Sequence, residues 1–192
     1  MGRSDMHDLI FDESFKVIGH NGIEEKFNYF LLNNVPVIDY SRGLRSVCGK
    51  IPLTQWKHYD GLIPNGTPAI FLKVEQDHDL NFCSLYHELG HIELGHLDEE
   101  LHDERLDGVQ IGIVIKAELE ADAYASKFVG TEKIIKWLTF LLNMTQNKIY
   151  YFEFMEQKRE TGLCEEEKEH LDIWKKSNQE IKLRIAAINK SG

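Results

Sequence analysis

The sequence predicts an α+β fold: a small, mainly antiparallel sheet packed with helices, followed by a C-terminal helical extension. Three observations point there. Residues 69–74 (Ala-Ile-Phe-Leu-Lys-Val) form a β-rich run of strand length. Residues 79–97 carry Phe82, Leu85, Leu89 and Ile92 at the three- and four-residue spacing of a helix facing a core. From residue 116 onward the chain reads as helices to its end. The expected division is 1–130 for the sheet-containing unit and 131–192 for an extension that packs on it or belongs to the same domain.

The early elements are the least marked. Residues 8–20 mix apolar and charged positions and are expected as a short helix or arm. Residues 22–33 place Ile23, Phe27, Phe30 and Leu31 on one side of a helix, with Glu24, Glu25 and Lys26 elsewhere. After Asn33-Asn34, Val35 to Ile38 is a short strand at most, because Pro36 cannot donate to a ladder. Pro64-Asn65-Gly66-Thr67 is a turn signal, so 59–63 and 69–74 are expected as a hairpin.

The helix over 79–97 is capped in the expectation by Asp79 or Asn81 and ended by Gly95, a residue that takes a left-handed conformation at little cost. Gly90 in its interior costs about 1 kcal/mol relative to Ala, which implies close approach of another backbone. Residues 97–109 are acidic and polar and read as an exposed connection; His96 and His102, in or beside it, could line a cleft but read as incidental. Residues 116–129 form a strong helix with Glu118, Ala121, Asp122 and Ala125 on one face. Residues 132–158 and 165–189 follow as two helices of an antiparallel hairpin, broken at Thr161-Gly162, with Tyr150, Tyr151, Phe152 and Phe154 expected in the core.

Composition bounds the function. A net charge of −10 argues against a general nucleic-acid binder, which carries a basic face. Cys48, Cys83 and Cys164 are far apart with no Cys-x-x-Cys pair, the usage of reduced thiols in a cytoplasm. No apolar run approaches the roughly 20 residues of a membrane span, and no signal-peptide pattern opens the chain. Met1 to Asp5, ahead of Met6, has the look of a cloning scar.

The chemistry concentrates in His87-Glu88-Leu89-Gly90-His91. Residues four apart share a helix face, so His87 and His91 can hold one metal ion, with Glu88 close enough to reach a water on it. This composition produces roughly 0.04 such matches by chance, so the pattern needs a third ligand as corroboration. Glu118 is the best candidate, on a helix whose alanines admit close packing against the motif helix; Glu120 points away. Asp122, four residues on, can accept a hydrogen bond from a ligating histidine and fix its tautomer. Two His and one Glu leave a fourth position for water, the pattern of a catalytic zinc site; Mn²⁺ or Fe²⁺ also suit these donors.

His-Glu-Leu-Gly-His followed by Glu118-Leu119-Glu120-Ala121-Asp122-Ala123-Tyr124-Ala125 resembles the ImmA/IrrE family of bacterial and phage metallopeptidases. The resemblance covers roughly residues 20–130. It implies a zincin-like fold of the gluzincin kind, Glu118 as third ligand, and turnover of a phage or mobile-element repressor or another regulatory protein. In the expected mechanism zinc activates a water and polarises the scissile carbonyl, and Glu88 moves the proton to the leaving amine. The strand at 69–74 would hold an extended substrate, and Tyr86, Tyr124, Tyr150 and His170 are candidates for stabilising the oxyanion. The expectation is therefore a cytoplasmic zinc metalloendopeptidase of narrow specificity, with a protein substrate and without direct nucleic-acid or membrane binding. A different class competes with it: a non-cleaving, metal-containing regulatory module that binds and sequesters a repressor or toxin-type partner.

Overall fold

The computed structural model describes residues 9–191, apart from 20, 42, 44, 52–55, 61–62 and 98–107. The described part is an α+β fold. Six strands come first, β1 (Glu13–Gly19), β2 (Glu24–Leu32), β3 (Val35–Asp39), β4 (Val47–Lys50), β5 (Trp56–Asp60) and β6 (Pro68–Leu72). Four helices follow, α1 (His78–Glu93), α2 (Gly108–Val129), α3 (Thr131–Lys158) and α4 (Glu165–Ser191).

The strands form one sheet in the order β4-β6-β3-β2-β1-β5. Every pairing is antiparallel except β3 with β6, where Val37 opposes Ile70. Parallel neighbours need a crossover, and here the chain between β3 and β6 makes it by way of β4 and β5. The expected hairpin of 59–63 with 69–74 does not form. β5 pairs with β1 at one edge, while β6 lies between β3 and β4. An interior strand has both ladders filled, so β6 cannot accept an added substrate strand; β4 is the edge on that side.

Two further expectations fail. Part of residues 8–20 is β1, and residues 22–33 are largely β2. β1 and the first part of β2 do alternate, with Ser14, Lys16, Lys26 and Asn28 exposed between inward residues, whereas only the centre of the sheet, β3 and β6, buries both faces. Phe15, Val17, Phe27, Tyr29, Ile38 and Phe71 pack together on one face. Phe30, Leu32, Val37, Ile70 and Leu72 pack on the other, against Leu85 and Leu89 of α1. Phe27 and Leu31 share one face of β2 and Phe30 lies on the other, while Ile23 precedes the strand, so their helical spacing is a coincidence.

Helix α1 therefore lies on the β3–β6 centre of the sheet. Its N-cap is Asp77, whose carboxylate accepts from the Asp79 N–H at 2.9 Å, in place of the expected Asp79 or Asn81. Asn81 instead clips the incoming loop, accepting from the Glu75 N–H at 2.6 Å and donating to the Glu75 carbonyl at 2.9 Å. At the other end Gly95, with φ of 79°, ends the helix as expected. The Gly95 N–H meets the Ile92 carbonyl at 3.1 Å and the His96 N–H meets the His91 carbonyl at 2.9 Å, the paired bonds of a Schellman motif.

Helix α2 packs against α1 at Gly90. A Cβ built there would lie 3.1 Å from Ala121 Cα and 3.2 Å from the Ala121 carbonyl, which accounts for a glycine inside a helix. Helices α3 and α4 pack on one another and on α1 and α2 through Ile134, Trp137, Leu138 and Ile181. Of the four aromatics expected in the core, Tyr150, Tyr151 and Phe154 are exposed and only Phe152 packs inward. Four aromatics within five residues surround a helix, and the α4-facing side takes Ile149, Phe152 and Met155. Among the described residues no helix is long and apolar enough to cross a membrane.

Candidate metal centre

The close approach at Gly90 brings the middle of α1 against the middle of α2, and the metal-type donors meet there. His87 Nε2 lies 3.2 Å from His91 Nε2 and 3.2 Å from Glu118 Oε2, and His91 Nε2 lies 3.4 Å from Glu118 Oε1. An ion held tetrahedrally at about 2.0–2.1 Å separates its donors by about 3.3 Å. The two imidazole nitrogens have that separation, and one Glu118 oxygen faces each of them, Oε2 toward His87 and Oε1 toward His91. His87, His91 and Glu118 form a group that could hold a metal ion.

Asp122 sits where the sequence placed it, one turn beyond Glu118, with Oδ1 3.0 Å from His87 Nδ1. An Nδ1–H donated to this carboxylate leaves Nε2 free as a donor atom. Burial alone would push the His87 pKa down; hydrogen bonding to Asp122 and Glu118 overrides it and lifts the pKa to about 9. Burial likewise opposes the ionisation of Glu118 and Asp122. Arg184 and the histidines prevail, holding both carboxyls below their usual range.

Arg184 was not singled out by the sequence reading. It reaches in from α4 and is 4% exposed. Its Nε and Nη2 donate to the two Asp122 oxygens at 2.8 and 2.6 Å, and its Nη1 lies 2.6 Å from Glu118 Oε2 and 3.3 Å from Glu180 Oε1. Its guanidinium lies 5.6 Å from the Trp137 ring centre, and that ring is 5.0 Å from the His87 imidazole. A forked, planar cation is suited to bridging two carboxylates in this way. The signal was available: Arg184 lies on the stripe of Ile181, Ile185 and Ile188, a cation where α4 faces the core.

His96, expected to be incidental, is part of the site. It is buried, with Nδ1 3.0 Å from His91 Nδ1 and Nε2 3.2 Å from Glu120 Oε2. The Schellman motif explains the position, since it places the residue after Gly95 beside the one three positions before the cap, His91. Each candidate ligand histidine thus has its second nitrogen engaged, His87 by Asp122 and His91 by His96. Glu120, which points away from the donor triangle, closes the second chain. His102 and most of the 97–109 connection lie outside the described residues.

Glu88 is buried on the wall of a cavity of about 510 Å³. The cavity holds the donor triangle at one end and runs between β4 on one side and α3 and α4 on the other. Cys48, on β4, lines the same cavity; burial and then the nearby Glu88 charge push its thiol far up, keeping it protonated. The four oxyanion candidates are elsewhere. Tyr86 and Tyr124 pack against Phe128, Tyr150 is exposed, His170 lies beside Phe152, and none of them lines the cavity.

No protein-family model, no curated protein and no solved structure matches the chain.

Proposed function

We propose that this protein is a cytoplasmic zinc-dependent metalloendopeptidase of narrow specificity, acting on a regulatory protein such as a phage or mobile-element repressor. One observation carries the reading: two imidazole nitrogens at the spacing of a small tetrahedral ion, each faced by a Glu118 oxygen, open with Glu88 onto a cavity large enough for a peptide segment. The resemblance of residues 87–91 and 118–125 to ImmA/IrrE metallopeptidases supports the same reaction class. Neutral imidazole and carboxylate donors at this spacing suit zinc.

His87, His91 and Glu118 would hold the ion, which when bound supplies Lewis acidity that makes a water nucleophilic near neutral pH. The chain's own residues do the rest. Asp122 and His96 orient the two imidazoles, so their Nε2 atoms converge without rearrangement. Arg184 holds the Glu118 and Asp122 carboxylates ionised and in place. Glu88 is the general base for the attacking water and then returns the proton to the leaving amine. The substrate backbone runs beside β4, the sheet edge that lines the cavity.

The test is co-expression with repressor-type proteins encoded in its neighbourhood, wild type beside Glu88→Gln, with metal measured by mass spectrometry. The expected variant is folded, carries zinc and cleaves at least about 100-fold more slowly. A phenotype that survives Glu88→Gln assigns the protein to sequestration instead of cleavage. Unchanged metal affinity in Glu118→Ala would remove Glu118 from the donor set.

A further inference from the structure

The chemistry proposed above uses only one end of the cavity. The remainder is walled by Trp137, Phe140, Leu141 and Met144 of α3 and by Trp174 and Ile181 of α4. Phe140, Leu141, Met144 and Trp174 are only half-buried, so an apolar group entering here removes their remaining surface from water. Polar groups on the same walls are already engaged. The Thr145 hydroxyl donates to the Leu142 carbonyl at 2.9 Å and lies 2.9 Å from Asn178 Nδ2. On the α4 wall Glu180 pairs with Arg184 at 3.3 Å, and opposite it Lys73 pairs with Glu75 at 3.1 Å, while the exposed Arg45 also lines the cavity. A charged substrate group against the α3–α4 wall would have to break the Glu180–Arg184 pair, whereas an apolar one displaces only water. The volume, about 510 Å³, is that of an ordinary small-ligand pocket.

We infer that the α3–α4 side of this cavity is a specificity pocket for a large apolar side chain, aliphatic or aromatic, carried by the peptide segment that lies beside β4. The cleavage that such a pocket would direct rests on the peptidase reading; the binding preference does not. On this account the two C-terminal helices select the substrate.

Both levels are testable with the full chain. Binding is read from the fluorescence of Trp137 and Trp174 on titration with N-acetyl amino-acid amides of Leu, Phe, Asp and Lys, in the metal-free and the zinc-loaded protein. The Leu and Phe amides are expected to bind at least about 10-fold more tightly than the Asp and Lys amides. Ser177→Phe, which fills the cavity from α4, and Met144→Asp, which charges it from α3, should each abolish that preference with zinc content and circular dichroism unchanged. Cleavage of a random peptide mixture by the zinc-loaded protein should show a large apolar residue at one fixed position relative to the cut. Equal binding of all four amides, tighter binding of a charged one, or no saturable binding overturns the pocket. Apolar binding without any cleavage keeps the pocket and overturns the peptidase. Cleavage without a positional apolar preference overturns the pocket and keeps the peptidase.

Discussion

Replacing Arg184 with Met removes a buried cation while retaining much of the side-chain volume. In the metal-free protein this leaves Asp122, 1% exposed, and the mostly buried Glu118 without the guanidinium that contacts both. Breaking a buried ion pair by removing one partner costs about 3–5 kcal/mol. For a chain of this size that corresponds to a fall in Tm of roughly 6–20 °C. With zinc bound the loss should be smaller. Glu118 then has the ion as counter-charge, and Asp122 keeps the hydrogen bond to His87 Nδ1. The assay is differential scanning calorimetry of wild type and Arg184→Met at pH 7, in EDTA and in zinc. The zinc-induced rise in Tm should be greater in the variant by at least about 3 °C, equivalent to about 1 kcal/mol of rescue. Adding Asp122→Asn should recover part of the metal-free loss, because it removes the charge left unpaired. Equal losses with and without zinc would refute the electrostatic role and leave Arg184 as a packing residue against Trp137.

Two other perturbations probe the same centre. Gly90→Ala places a Cβ 3.1–3.2 Å from Ala121 and Tyr124. Overpacking of about 1–3 kcal/mol then outweighs the roughly 1 kcal/mol gained in helix propensity. Separation of α1 from α2 should also weaken zinc binding, measured by competition with a chromophoric chelator; a variant that is more stable with unchanged affinity would show that the two backbones are not in close contact. The second perturbation is pH. The pKa of His87 is raised in the folded, metal-free protein to about 9 from an ordinary 6.5, so its contribution is complete below pH 6.5 and lost as pH climbs to 9. That contribution is of order 3 kcal/mol at most. Glu118 and Asp122 act in the opposite direction: their contribution is present above the usual carboxylate range and lost as pH falls below about 4. Metal-free Tm should therefore decline from pH 6.5 to 9, while the zinc-loaded protein, whose His87 is already a ligand, shows a shallower decline. Parallel profiles would count against the His87–Asp122–Glu118 geometry.

The legible parts of this chain were those whose signal is local. A pentapeptide with fixed helical spacing, a terminating glycine at 95, an unexplained glycine at 90 and a small-residue face at 118–125 each state their own geometry, and together they imply the α1–α2 contact. The central strands were harder because burial on both faces erases the period of two: Val37-Ile38 and Ile70-Phe71 each send one residue to either side. The parallel pairing of β3 with β6 joins segments about 30 residues apart, and no local pattern records it. Arg184 lies 62 residues beyond Asp122, so only the presence of a cation on an otherwise apolar stripe could have announced it. His96 is legible from the helix end. Once Gly95 ends the helix in a Schellman motif, the next residue must lie beside His91.

The charge distribution around the donor triangle explains why α4 is needed at all. Among the described residues, Glu118, Asp122 and Glu180 are the carboxylates bonded to Arg184, and Glu75 and Glu88 line the same cavity as Glu118 and Glu180. Without that arginine Glu118 and Asp122 would keep only the histidines as partners in the metal-free protein, and stability would lean more on a bound ion. With it, Glu118 and Asp122 are ionised and aimed before any metal arrives. The same helix carries Trp174, Ser177 and Ile181 along the cavity wall, and Arg184 is one turn beyond Ile181. A shift of α4 that reshapes the pocket must therefore move the guanidinium against Glu118. The cavity wall and the donor set therefore share one helix, and a substitution that displaces α4, unlike one such as Ser177→Phe that only fills the cavity, should alter both.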